Sequence, residues 1–72
     1  MTNSVLLEKR INVSGKKKKY LAERCNLTPQ GLYNCINNKA EFRASQILIL
    51  CEELGIQDLE EKEAIFFAPV GA

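Results

Sequence analysis

The apolar positions of this chain fall four and three apart for most of its length, the spacing of short amphipathic helices. Leu7 and Ile11 sit one helical turn apart, with Val5 or Leu6 widening their stripe. Asn3 or Ser4 supplies the oxygen that caps the first free amides, and Ser14–Gly15 ends the segment, glycine suiting the left-handed residue beyond a helix C-terminus. A second helix begins inside Lys16–Lys19 and runs to Arg24 or Cys25, turning Leu21, Ala22 and Cys25 inward. Asn26–Leu27 makes a tight turn, because Asn tolerates the left-handed region and Leu27 can tuck between helices.

Thr28 then caps a third helix whose first position is Pro29, where the missing N–H costs nothing and φ is already helical. At about 100° per residue, Leu32, Cys35 and Ile36 gather on one narrow side. Gln30, Tyr33, Asn34, Asn37 and Asn38 spread over the other, a face without charge but dense in amides that both donate and accept. Gly31 costs roughly 1 kcal/mol relative to Ala inside a helix, and either admits a close backbone approach or is simply tolerated. Asn38 is the candidate left-handed cap. A fourth helix, Ala44 to Leu54, carries Ile47, Leu50, Cys51 and Leu54 on a core-facing stripe. Leu48 and Ile49 lie off it and call for cover by the C-terminal segment or a second subunit. Gly55 ends that helix and Ile56 folds back on it.

Asp58 with Glu61 reads as a capping box opening a short fifth helix. The run Ala64 to Val70 is apolar on every side, and leaves a last helical turn and a short extended strand both open. The pattern therefore predicts an all-α fold: a compact bundle of about five short helices around a central helix-turn-helix, with that short C-terminal alternative. One domain, 1–72, contains a helix-turn-helix core at 17–38 and a packing or dimerisation segment at 58–70. Phe66 or Phe67 would close a dimer across a dyad, or both rings would pack on the monomer's own core.

Composition narrows the function. An apolar share of 46% and a charged share of 26% are ordinary for a soluble globular chain of 72 residues. No apolar run nears the ~20 residues that span a bilayer, and MTNSVLLEKR lacks the layout of a signal peptide; a cytoplasmic location without membrane attachment is expected. Three widely spaced cysteines, Cys25, Cys35 and Cys51, and no His argue against a zinc site and for reduced core thiols. No metal, cofactor or small-molecule ligand is implied. Without a base for the cysteines, a phosphate loop or a plausible carboxylate pair, an enzyme is the weakest reading.

Net charge is only +1, but its distribution is uneven. Residues 1–39 hold eight Lys or Arg against two Glu, +6, and residues 40–72 hold two against seven acids, −5. A basic end suits a polyanion. Four lysines, Lys16 to Lys19, at a helix start oppose the macrodipole by roughly 0.3–1 kcal/mol per exposed charge, and phosphate contact is a reason to keep them. A solvated loop is the plain alternative.

Taken together, LAERCNLTPQGLYNCINNKAEFRASQILILCEELGI closely resembles the helix-turn-helix domain of the lambda-repressor-like (Cro/C1, or XRE) transcriptional regulators of phages and bacteria. The likeness rests on Leu21–Ala22, the Asn26–Leu27 turn, Thr28, Leu32 and Ile36, Asn37–Asn38–Lys39, and Leu54–Gly55–Ile56, and covers about residues 4 to 67. Ile65–Ala68, reading IFFA, adds a likeness to small prophage-type regulators. The resemblance implies a bacterial, prophage-type repressor that binds a palindromic double-stranded DNA operator as a homodimer. It implies base-edge contacts from Gln30, Tyr33 and Asn34, and phosphate contacts from Lys17, Lys18, Thr28, Asn37 and Lys39. Two positions depart from the family: Asn38 stands where Gly is usual, which should be benign, and Arg43 where Ser or Thr usually caps, weakening the cap but adding a possible phosphate contact. Leu48, Ile49, Phe66 and Phe67 are the candidate dimer residues. An interaction module of the same fold, such as an antitoxin or anti-repressor, would use those four apolar residues instead of DNA contacts.

Overall fold

In a computed structural model, which describes residues 1–69, five helices follow one another: α1 Ser4–Ser14, α2 Lys18–Arg24, α3 Pro29–Ile36, α4 Ala44–Leu54 and α5 Leu59–Phe66. No strand occurs among the described residues. Local chemistry explains most boundaries. Asn3 accepts from the Leu6 N–H at 3.1 Å and Gly15 closes α1 at φ 72°. Asn26 (φ 59°) and Asn38 (φ 64°) take the left-handed position after α2 and α3. Each sits in a Schellman motif: Leu27 N donates to Ala22 O at 2.8 Å, and Lys39 N donates to Asn34 O at 2.8 Å. Thr28 Oγ accepts from the Gly31 N–H at 3.0 Å, with Pro29 opening α3.

α2 packs on α3 and on α4, while α1 packs on α4 and α5. Leu7, Leu21, Leu32, Ile36, Leu50 and Ile65 are fully enclosed where the helices meet. The Cα radius of gyration is 10.9 Å, close to the ~11 Å of a well-packed chain this long. The C-terminal alternative resolves as helix: α5 runs through Phe66, and Val70 lies outside the described residues. The two Phe rings separate. Phe66 is 4% exposed and meets Phe42 edge-on at 5.7 Å between centroids, whereas Phe67 is 58% exposed. Phe66 is thus buried in the core of the single chain, because the last turn of α5 aims it inward beside Ile65.

One further expectation changes at α5, and polar side chains tie the helices together. Asp58 caps α5 through the Glu60 N–H at 3.1 Å, but Glu61 does not complete a box. Glu61 instead faces Arg10, whose Nε lies 3.3 Å from its carboxylate without hydrogen-bond alignment. Arg10 also donates to Leu54 O at 2.8 Å and so binds α1 to the end of α4. Arg43 cannot cap α4 by its side chain, since a guanidinium has no acceptor. Gln46 reaches back to the Arg43 N–H at 2.8 Å, and its amide donates to Cys25 O at 3.3 Å, anchoring α4 to the end of α2.

The N-terminal residues form a strap across the bundle. Asn3 N donates to Ile65 O at 2.7 Å, and the Met1 carbonyl accepts from Ala68 N at 2.9 Å. Asn38 receives the Thr2 N–H at 2.8 Å and donates to the Thr2 carbonyl at 2.9 Å, while the Ser4 hydroxyl donates to Ile36 O. The end of α3 is therefore tied through residues 2–4 to α5.

Candidate nucleic-acid interface

α3 turns Leu32, Cys35 and Ile36 into the core and leaves Gln30, Tyr33 and Asn37 exposed, with Asn34 half-exposed. The uncharged face expected from the sequence is thus brought together on one short helix. Its side chains are partly organised. Gln30 Nε2 donates to Asn34 Oδ1 at 3.0 Å, and Asn37 Nδ2 donates to Tyr33 O at 3.0 Å. The Tyr33 ring is 51% exposed and lies under the Lys39 ammonium, 5.4 Å from its centroid, a cation–π distance. Asn38, assigned to the outer face, is occupied with Thr2. Gly31 has an internal reason: a Cβ there would stand 3.2 Å from Thr28 Oγ, crowding the hydroxyl that caps the helix.

The cations divide into two groups. Lys17 is the extended N-cap of α2, and Lys17, Lys19, Lys39 and Arg43 are exposed. Lys18 pairs with Glu8 at 2.8 Å in an exposed contact. Such pairs are worth about 0–1 kcal/mol, so Lys18 is readily released to another anion. Lys16 is held more closely. It and Arg24 both lie 2.7 Å from the Glu53 carboxylate, which Tyr20 OH also meets at 3.1 Å. Hydrogen bonds from Lys16 and then Arg24 hold the Glu53 carboxyl at about 2, and the same pairing raises Arg24. Folding therefore does not preserve the separation of a basic and an acidic half: Glu53 and Glu61 come from the acidic half and neutralise cations of the basic one. Nothing in the local sequence marks Glu53 for this, since its partners lie 29 to 37 residues away.

The remaining candidates stand apart from α3. Leu48 is 61% exposed, and Ile49 is half-buried against the core beside a shallow cleft shared with Leu27, Arg24 and Arg43. Cys25, Cys35 and Cys51 are buried and free, and desolvation pushes all three thiols up, so they are protonated near neutrality and poor nucleophiles. Among the described residues no group of three or more metal-binding side chains occurs, and no helix is long and apolar enough to cross a membrane. Comparison with protein-family models, curated proteins and solved structures finds no match.

Proposed function

We propose that this chain is a sequence-specific, double-stranded-DNA-binding transcriptional regulator of the Cro/C1 type, acting as a homodimer on a palindromic operator. The observation that carries the reading is α3 itself: an uncharged, amide-rich outer face between two pinned ends, with exposed cations nearby. A surface helix selected for solubility alone would favour Glu and Lys there. Amides suit base edges, because Asn and Gln pair with adenine N6 and N7 at ~1–3 kcal/mol of discrimination. On this reading Gln30, Tyr33 and Asn34 face the major groove. Lys17, Lys39 and Arg43 contact phosphate, with Thr28 and Asn37 near the strand, and Lys18 exchanges Glu8 for a phosphate. Each phosphate contact adds about −0.9 to the slope of log affinity against log salt.

Selection of bound duplexes from a random pool tests this directly. The expected outcome is a two-fold palindrome with half-sites about one turn apart, roughly 34 Å. Gel shifts then separate roles: Asn34→Ala relaxes base preference, while Lys17→Ala weakens all sequences alike and flattens the salt slope. A chain that retains no duplex at low salt is not this regulator. Exposed Leu48 and Phe67 favour the second reading, a protein-interaction module of antitoxin or anti-repressor type. Salt-insensitive capture of a protein partner, lost in a Leu48→Ala, Phe67→Ala double variant, would select it.

A further inference from the structure

The side chains of Gln30 and Asn34, one helical turn apart on the exposed face of α3, are joined by an Nε2–H···Oδ1 hydrogen bond of 3.0 Å. Two primary amides have two carbonyl oxygens and two NH2 groups. Once one NH2 has donated to one carbonyl, the donating amide keeps its whole carbonyl free and the accepting amide keeps its whole NH2. Here the free acceptor is on Gln30 and the free donor is on Asn34. Turning both amides over exchanges the two ends but leaves the same inventory. The internal bond also restricts the side-chain torsions of both residues before any ligand arrives, which removes part of the ordering cost of a contact.

We infer that Gln30 and Asn34 form one composite reader, presenting an acceptor and a donor in fixed relation to two neighbouring base pairs, and not two independent readers. This rests on the DNA-binding function proposed above. Each end asks for a complementary group: an exocyclic amine of adenine or cytosine for the carbonyl, and a purine N7 or a carbonyl oxygen for the NH2. Because the amides orient each other, removing either side chain frees the other to turn. Either truncation then costs discrimination at both base pairs.

The test is a double-mutant cycle on the full chain, with Gln30→Ala, Asn34→Ala and the double variant. Each is titrated against the duplex selected by the wild type and against duplexes changed at single base pairs. Circular dichroism checks folding, which both truncations should spare because neither residue is in the core. A lost base contact reads as roughly 5- to 150-fold in affinity. The expected result is that each single variant loses most of what the double variant loses. The product of the two single losses then exceeds the double loss by about tenfold, as for coupled neighbours, and both singles relax the same base pairs. Asn34→Asp supplies an independent reading. It retains the acceptor for Gln30 but turns the outward donor into an acceptor, so preference at one base pair should shift towards cytosine, whose N4 amine donates. Single losses that multiply to the double loss, with each variant relaxing a different base pair, overturn the composite reader while leaving DNA recognition standing. A wild type that prefers no sequence overturns the recognition itself.

Discussion

Replacing Asn38 tests how the end of α3 is held. This residue makes two separable contributions. Its backbone sits at φ 64°, and its side chain exchanges two hydrogen bonds of 2.8 and 2.9 Å with the Thr2 backbone. Gly at this position keeps the left-handed geometry at no steric cost and removes only the side-chain bonds. Each bond is partly buried, so the pair contributes about 1–2 kcal/mol net. Ala removes the same bonds and adds the cost of a Cβ in the left-handed region, about 1 kcal/mol more. For a domain of this size each kcal/mol lowers Tm by roughly 4–8 °C. Asn38→Gly should therefore melt about 4–16 °C below the wild type, and Asn38→Ala lower still. Chemical denaturation with a shared slope measures the free energies, and amide exchange of Thr2 reports the strap directly. Protection at Thr2 should collapse in both variants while the amides inside α3 hold. A Gly variant as stable as the wild type, with Thr2 still protected, would refute the claim that the strap draws stability from Asn38.

Three further outcomes follow from the packing and the charge network. The Glu53 carboxyl is lowered from 4.5 to about 2 by its bonds to Lys16 and Arg24; a depressed folded-state value stabilises above the unfolded value and is lost as pH falls through the folded one. Wild type should therefore lose stability between pH 4.5 and about 2 more steeply than Glu53→Gln, read as denaturation midpoint against pH; equal slopes would remove Glu53 as the acid-sensitive group. Phe66→Ala should cost about 3–5 kcal/mol, as for a buried ring. Phe67→Ala should leave the monomer within about 0.5 kcal/mol, and its effect on a dimer would appear as a melting temperature that depends less on protein concentration.

Much of the helical framework is legible along the chain because each signal acts within one or two turns. Asn3, Thr28–Pro29 and Asp58 satisfy free amides within three residues, and Asn26, Asn38 and Gly55 supply left-handed residues just past a helix. The inward stripes Leu7–Ile11, Leu32–Cys35–Ile36 and Ile47–Leu50–Cys51–Leu54 follow from helical periodicity and are buried. The apolar run at the end of α5 carries no such signal. A segment apolar on all sides fits helix or strand, and the direction of Phe66 is decided only by Phe42 and the rest of the core.

The candidate interface divides in the same way. Which residues share the outer face of α3 is a matter of angle along one helix, so the amide-rich set could be read directly. Which of them are free is not. Asn38 is taken up by Thr2, 36 residues away in sequence, and Lys16 and Arg24 by Glu53. Coulomb attraction and hydrogen bonding act over a few ångströms of space whatever the distance along the chain, so a charge count over consecutive residues cannot anticipate them. The sequence by itself determined a bundle of about five helices, most of their caps and turns, and their buried stripes. Only the tertiary structure decided which charges cancel, which Phe is core, and how the N-terminal strap holds the end of α3, because those depend on partners that folding brings together.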